Sequence, residues 1–201
     1  MARAQGAPGA VRLPRAGAGL YAVEIAGGGW RGWAPEAVPG RAPVLIMVPT
    51  YSWQATNPTD GDLSGFPDVP PQPLALDRPF GDGIAAALAG LGSIASTVAA
   101  GTDARVGAIT DGAIERRGVP RGTRLVAIAD APVWTPGLLR ALKRFRARGG
   151  LVLVLDDASL VRRATRAGNA ITLEVGSDPT ADGLDPLRTI GAAADALAAP
   201  R

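Results

Sequence analysis

The chain has 201 residues, enough for one domain of ordinary size or slightly more. It contains no cysteine and no histidine, which excludes disulfides, Cys/His zinc sites, cysteine nucleophiles and every catalytic triad that uses histidine. The net charge is only +3, and the basic residues are scattered along the chain. We therefore expect no nucleic-acid partner, because nucleic-acid binders usually concentrate their positive charge on one face.

Residues 1–41 are predicted to form a segment that precedes the main domain. Residues 1–19 are rich in Ala, Gly, Pro and Arg and are predicted to be disordered. Residues 20–25 alternate as a strand does, but the Gly- and Pro-rich stretch after them offers no strand to pair with. We interpret this strand as the end of a preceding β domain. Residues 1–15 lack the apolar core of a signal peptide, so the localisation is open and export as part of a larger protein is an expectation.

Four apolar runs predict strands that are buried on both faces. They are Val44–Val48, 104–110, 124–129 and Leu151–Leu155. Because helical segments alternate with these runs, we predict an α/β fold, a three-layer sandwich with a mainly parallel, doubly wound sheet. We place Val44–Val48 at the centre, between 104–110 and 124–129, with Leu151–Leu155 beyond. A long loop is expected over 49–83.

The remaining elements follow from periodicity and capping signals. The large aliphatic residues of 83–102 recur at steps of three and four, which predicts a helix packed on the sheet and no membrane span in this chain. Thr135 and Pro136 predict the start of another helix, which ends at Gly149-Gly150. Residues 156–165 have a helical pattern, 170–175 predict a fifth strand at a sheet edge, and 185–199 predict a weak helix. The α/β domain is set at 42–192, with 193–201 as a tail.

Polar residues follow the predicted strands at their carboxyl ends, where parallel sheets bind ligands. We predict a pocket for an unidentified small molecule there, lined by Thr50, Tyr51, Trp53, Gln54, Asp111, Asp130 and Asp156. Two alternatives stay open. The residues after the first strand can instead pack under the long loop, and aspartates after strands often cap the next helix. No residue is assigned a catalytic role.

The acidic loop after residue 59 has the spacing of a calcium-binding loop. Side-chain oxygens of Asp60, Asp62, Ser64 and Asp68 fall at positions 1, 3, 5 and 9, with Gly65 at position 6 and the backbone carbonyl of Phe66 at position 7. These residues are the candidate Ca²⁺ ligands. Position 12 is Pro71, so the bidentate glutamate of an EF-hand is missing. The alternative is a plain acidic turn, in which Asp, Gly and Ser are all favoured.

Two stretches, residues 44–68 and 132–155, carry a resemblance to a known family. The segments "VLIMVPTYSWQATNP" and "GDLSGFPD", together with "PVWTPGLLRALKRFRARGGLVLVL", resemble the C-terminal domain of N,N-dimethylformamidase large-subunit-like proteins, most closely their uncharacterised actinobacterial members. The resemblance covers roughly residues 19–191. It implies a fold similar to that of class I glutamine amidotransferases. The amidotransferase mechanism itself is excluded, because the chain has neither Cys nor His.

The resemblance also bears on iron, which the amidohydrolase members hold with Tyr and Glu side chains. Trp53 stands where the family often has Tyr, and the family's Glu-Tyr falls at Pro132-Val133. Both departures argue against an iron site. We therefore expect a non-catalytic ligand-binding or structural domain of a larger protein, whose partner is a small molecule or a neighbouring domain. The alternatives are a metal-dependent amide hydrolase and a calcium-stabilised interaction module.

Overall fold

The computed structural model describes residues 19–24, 31–36, 42–57, 73–76, 80, 84–102, 104–129, 133–155, 162–175 and 182–199. The strands are β1 (Gly19–Glu24), β2 (Arg31–Glu36), β3 (Val44–Val48), β4 (Leu74–Ala75), β5 (Val106–Thr110), β6 (Leu125–Ala129), β7 (Val133–Trp134), β8 (Leu151–Leu155), β9 (Arg162–Ala167) and β10 (Ala170–Val175). The helices are α1 (Thr50–Thr56), α2 (Ile84–Ala100), α3 (Asp111–Arg117), α4 (Pro136–Ala147) and α5 (Ile190–Ala198).

A four-stranded parallel sheet forms the centre of the α/β fold. Its order is β5-β3-β6-β8, and every neighbouring pair is parallel. This is the predicted order, with β3 between β5 and β6 and with β8 beyond. The continuous apolar runs form these strands because both faces of the sheet are covered, so no position along β3 or β6 faces water.

Helices cover the two faces of this sheet and make three layers. On one face Leu45 and Met47 of β3 pack with Leu138, Leu142 and Phe145 of α4, and α3 joins the same cluster. On the other face the alternate residues of the strands pack against α2 and α5. The packed unit includes α5 beyond residue 192, because Ala193 is buried against the sheet.

A second sheet of four strands has the order β4-β10-β9-β7 and was not predicted. The helix expected over 156–165 is wrong where it overlaps β9, because residues 162–167 are extended and pair with β10. The strand predicted at 170–175 exists, but it lies inside this second sheet rather than at an edge. Its hairpin with β9 turns at Gly168, whose positive φ of 57° suits glycine.

Two expectations about connections also need correction. The strand at the N-terminal end of the chain does have a partner, because β1 pairs with β2 in antiparallel register. The loop expected over 49–83 begins instead with helix α1. The sequence hides this helix because Pro49 at its N-cap position offers no capping side chain.

Several predicted features lie outside the described residues: residues 1–18, the loop from Asp60 to Asp68, and the aspartates Asp130 and Asp156. Their roles stay predictions. No helix in the described part of the chain is long and apolar enough to cross a membrane.

Candidate functional site

Polar side chains from four elements meet at the carboxyl edge of the parallel sheet. Helix α1 begins directly after β3, and α3 begins directly after β5, so Thr50, Tyr51 and Asp111 come together at this edge. Thr135, the N-cap residue of α4, and Arg166 of β9 complete the group. We call these residues, with Glu115 of α3, the rim cluster.

Asp111 caps helix α1 from a distance of 60 residues along the chain. Its Oδ2 accepts a hydrogen bond from the backbone N–H of Tyr51 at 2.7 Å, and its Oδ1 accepts from the backbone N–H of Gly112 at 2.7 Å and from the hydroxyl of Thr50. The Asp111 side chain is fully buried. Burial raises its pKa to about 6, although these three hydrogen bonds pull in the opposite direction.

Tyr51, Glu115 and Arg166 form the second part of the cluster. The phenol of Tyr51 donates to Oε2 of Glu115 at 2.5 Å. Nη1 of Arg166 lies 2.8 Å from that same carboxylate oxygen and 2.8 Å from the phenol oxygen. The side chains of Glu115 and Arg166 are only 12% and 20% exposed. One guanidinium nitrogen therefore contacts both oxygens in a largely dehydrated position.

Thr135 forms a hydrogen bond to the other carboxylate oxygen of Glu115. Its hydroxyl donates to Oε1 at 2.9 Å and accepts from the backbone N–H of Leu138 at 3.1 Å, which caps α4. Gly137 lies directly against the same carboxyl group, and a Cβ there would overlap the Glu115 side chain. The start of α4 is thus shaped around Glu115, and both carboxylate oxygens have partners within the protein.

These contacts set the proton affinities of the cluster. Burial alone would raise the pKa of Glu115, but hydrogen bonds from Tyr51, Arg166 and Thr135 outweigh it and hold that pKa below its usual value. Burial, followed by the hydrogen bond to Glu115, raises the pKa of the Tyr51 phenol. At neutral pH Glu115 is a weakly basic carboxylate and Tyr51 a neutral phenol, so neither is prepared to accept a proton or to attack a substrate.

The other residues of the predicted pocket have packing positions. Trp53 is 5% exposed and contacts the ring of Phe80 edge-on, with 6.2 Å between ring centroids. Gln54 is also buried, and its Oε1 accepts from the amide of Asn57 at 3.3 Å. The structure brings Thr50, Tyr51 and Asp111 together, whereas Trp53 belongs to the core between the sheet and α2. A ligand contact by these residues stays a prediction.

Three members of the rim cluster were not foreseen as site residues: Glu115, Thr135 and Arg166. Glu115 follows Asp111 by four positions on a short helix, a spacing that places both carboxylates on one helix face. Arg166 comes just before Gly168-Asn169, a two-residue turn signal between two strand-like runs. Reading that turn would have predicted the hairpin, though not its packing against Tyr51.

The rim cluster has two of the donor types that a metal centre would need. Tyr51 and Glu115 are the side-chain types that the resemblance implies for iron. In this chain Nη1 of Arg166 lies 2.8 Å from the phenol oxygen of Tyr51 and 2.8 Å from Oε2 of Glu115. The guanidinium therefore already supplies the positive charge beside these two oxygens, and the arrangement does not fit a metal ion. Among the described residues no group of three or more Asp, Glu, His or Cys side chains is placed to hold a metal.

No protein-family model matches the chain, and no curated protein matches it. The family resemblance therefore stays a prediction.

Proposed function

We propose that this chain is a non-catalytic α/β domain of the N,N-dimethylformamidase-like type, a structural part of a larger protein. On this proposal the polar residues at the carboxyl edge of the sheet hold the fold together. The observation that carries it is the saturation of Glu115, whose two oxygens accept from Tyr51, Arg166 and Thr135.

The electrostatics of the rim cluster support a structural role. A general base needs a pKa near the working pH and access to its substrate. Glu115 has a lowered pKa, and Asp111, whose pKa of about 6 would suit a base, is fully buried behind three hydrogen-bond donors. The arrangement instead ties β9 of the second sheet to α1 and α3 at the edge of the first.

The alternative is a metal-dependent amide hydrolase. The adjacency of Tyr51 and Glu115 favours it, because the resemblance implies iron held by these two side-chain types. Arg166 opposes it, because a bound metal would have to displace the guanidinium from both oxygens. The two functions therefore differ in the expected effect of Glu115→Gln: only a metal-dependent hydrolase would lose amide hydrolysis with this substitution.

The test follows amide hydrolysis by proton NMR, with formamide and N,N-dimethylformamide as substrates. The purified chain is incubated with ferrous iron, with ferric iron or with a chelator, beside Glu115→Gln and the matched control Glu174→Gln on the exposed side of β10. We expect no formate or amine above the buffer rate in any sample. Iron-stimulated turnover that Glu115→Gln abolishes and Glu174→Gln retains would establish the hydrolase instead.

A further inference from the structure

A basic cavity lies at the opposite edge of the parallel sheet, away from the rim cluster. It has a volume of about 250 Å³, is open to solvent on one side, and is bordered by the turn before β6, the end of α4 and the start of β8. The residues that shape it include Arg121, Thr123, Arg124, Phe145, Arg148 and Gly150. Three of the described residues that line it are arginines, and none of them is acidic.

Two of these arginines are anchored by the protein through one donor each. Nη2 of Arg124 donates to the carbonyl of Leu197 in α5 at 2.5 Å, and Nη2 of Arg148 donates to the carbonyl of Val119 at 3.3 Å. A guanidinium has five N–H donors in a rigid plane. Each contact therefore fixes the orientation of its guanidinium while leaving other donors of the same group to bind a ligand.

Close packing and a tight turn fix the backbone on two sides of the cavity. Phe145 is 2% exposed, and its ring packs directly on Gly150, where a Cβ would overlap the ring. Gly122 has a φ of 85° in the turn that presents Arg121, a conformation that glycine adopts at no steric cost. The backbone around the cavity is thus fixed, and three arginines are among the residues that line it.

We propose that this cavity binds the phosphate group of a small phosphorylated molecule. A phosphate group carries about two negative charges at neutral pH and accepts paired hydrogen bonds from arginine. A monocarboxylate would neutralise only one of the three guanidinium groups, whereas a phosphate or diphosphate matches them in charge and in acceptor number.

The test measures binding of inorganic pyrophosphate by isothermal titration calorimetry, with inorganic phosphate and acetate as comparison ligands. Sodium chloride at about 0.15 M screens unspecific surface attraction. The variant Arg121→Gln/Arg148→Gln removes two of the three charges. The matched control, Arg140→Gln/Arg144→Gln, removes two charges from exposed positions of α4 outside the cavity. Circular dichroism checks that each variant folds, and the exposed Arg121→Gln alone replaces the double variant if it does not fold.

We expect pyrophosphate to bind more tightly than phosphate, and acetate to bind at least tenfold more weakly than either. The cavity variant should lose at least tenfold in pyrophosphate affinity, and the control less than twofold. Equal losses in the two double variants would show attraction to the general surface charge and would overturn the proposal. Absence of pyrophosphate binding by the unaltered chain, or acetate binding equal to that of phosphate, would overturn it as well.

Discussion

Arg166 and Glu115 form an ion pair with a nitrogen–oxygen distance of 2.8 Å, although 51 positions separate them in the chain. Arg166 belongs to β9 of the second sheet, and Glu115 belongs to α3, which packs on the parallel sheet. Both side chains are largely buried. Removing one member of such a pair leaves the other charge dehydrated without its partner, which costs far more free energy than the loss of an exposed pair.

The first prediction concerns this pair. Arg166→Gln should lower the free energy of unfolding by about 2 kcal/mol, because Glu115 loses a cationic partner in a largely dehydrated position. The melting temperature should fall by about 4 to 8 °C for a domain of this size. Chemical denaturation followed by circular dichroism measures the free energy directly.

Arg163→Gln is the matched control on the same strand. Arg163 pairs with Asp182, but these side chains are 29% and 26% exposed, so water screens their interaction more strongly. We expect a loss below about 1 kcal/mol. An equal or greater loss in Arg163→Gln would mean that Arg166 contributes no more than an ordinary surface charge.

The second prediction follows from the raised pKa of Asp111. Its carboxyl has a pKa of about 6 in the folded chain, against an ordinary pKa near 4 in the unfolded chain. Between these values the folded state binds more protons, so the free energy of unfolding falls as the pH rises. From pH 5 to pH 7 the fall due to Asp111 should be about 1 kcal/mol.

Two features make this window informative. The chain has no histidine, whose ordinary pKa would fall within it. Glu115 has a lowered pKa and is ionised in both states above pH 5, so its own contribution, which is lost on acidification, lies below the window.

Asp111→Asn should be less stable overall, because its amide nitrogen cannot accept the N–H of Tyr51. Its stability should nevertheless vary less between pH 5 and pH 7, and an unchanged slope in the variant would assign the titration to another group.

The third prediction concerns the phenol of Tyr51. The chain has two tyrosines, Tyr21 and Tyr51, and only a phenol with an unperturbed pKa ionises near pH 10. Because the pKa of Tyr51 is raised, Tyr51 should contribute no tyrosinate absorbance near pH 10 in an ultraviolet titration of the folded chain. The variant Tyr51→Phe should give the same absorbance change as the unaltered chain. A larger change in the unaltered chain than in Tyr51→Phe would show that Tyr51 ionises freely.

The fourth prediction concerns the acidic loop, which lies outside the described residues. If Asp60, Asp62 and Asp68 are calcium ligands as predicted, millimolar calcium should raise the melting temperature, because a ligand that binds only the folded chain stabilises it. Without a bidentate glutamate the dissociation constant should be on the order of 10⁻⁴ to 10⁻³ M. Asp62→Ala should abolish the gain, measured by thermal melts in calcium and in chelator. A shift of the same size in the variant would identify an ordinary acidic turn.

The parallel sheet was predictable because its strands carry their own signal. Val44–Val48 and Leu151–Leu155 are continuous apolar runs, and their bounds and order agree with the structure. Such runs are stable only where both faces of a sheet are covered. The start of α4 was predictable for a similar local reason, since the Thr135 hydroxyl caps it and Pro136 begins it.

The second sheet and the rim cluster depend on contacts between distant residues. Strands β4 and β7 have two residues each, and β9 carries three arginines, so neither length nor hydrophobicity distinguishes them. Helix α1 receives its cap from Asp111 rather than from a neighbouring residue. The sequence places Tyr51 and Asp111 at the correct edge of the sheet, but it cannot indicate that Arg166 folds back onto them.

The most direct test of the structural role is a double-mutant cycle on Glu115 and Arg166. Free energies of unfolding are measured for the unaltered chain, Glu115→Gln, Arg166→Gln and the double variant, all at pH 7. If the rim cluster holds the two sheets together, the losses in the two single variants should sum to more than the loss in the double variant. The difference, which is the coupling energy, should be at least about 1.5 kcal/mol. Losses that add within about 0.3 kcal/mol would show that the pair is energetically independent and would contradict the account.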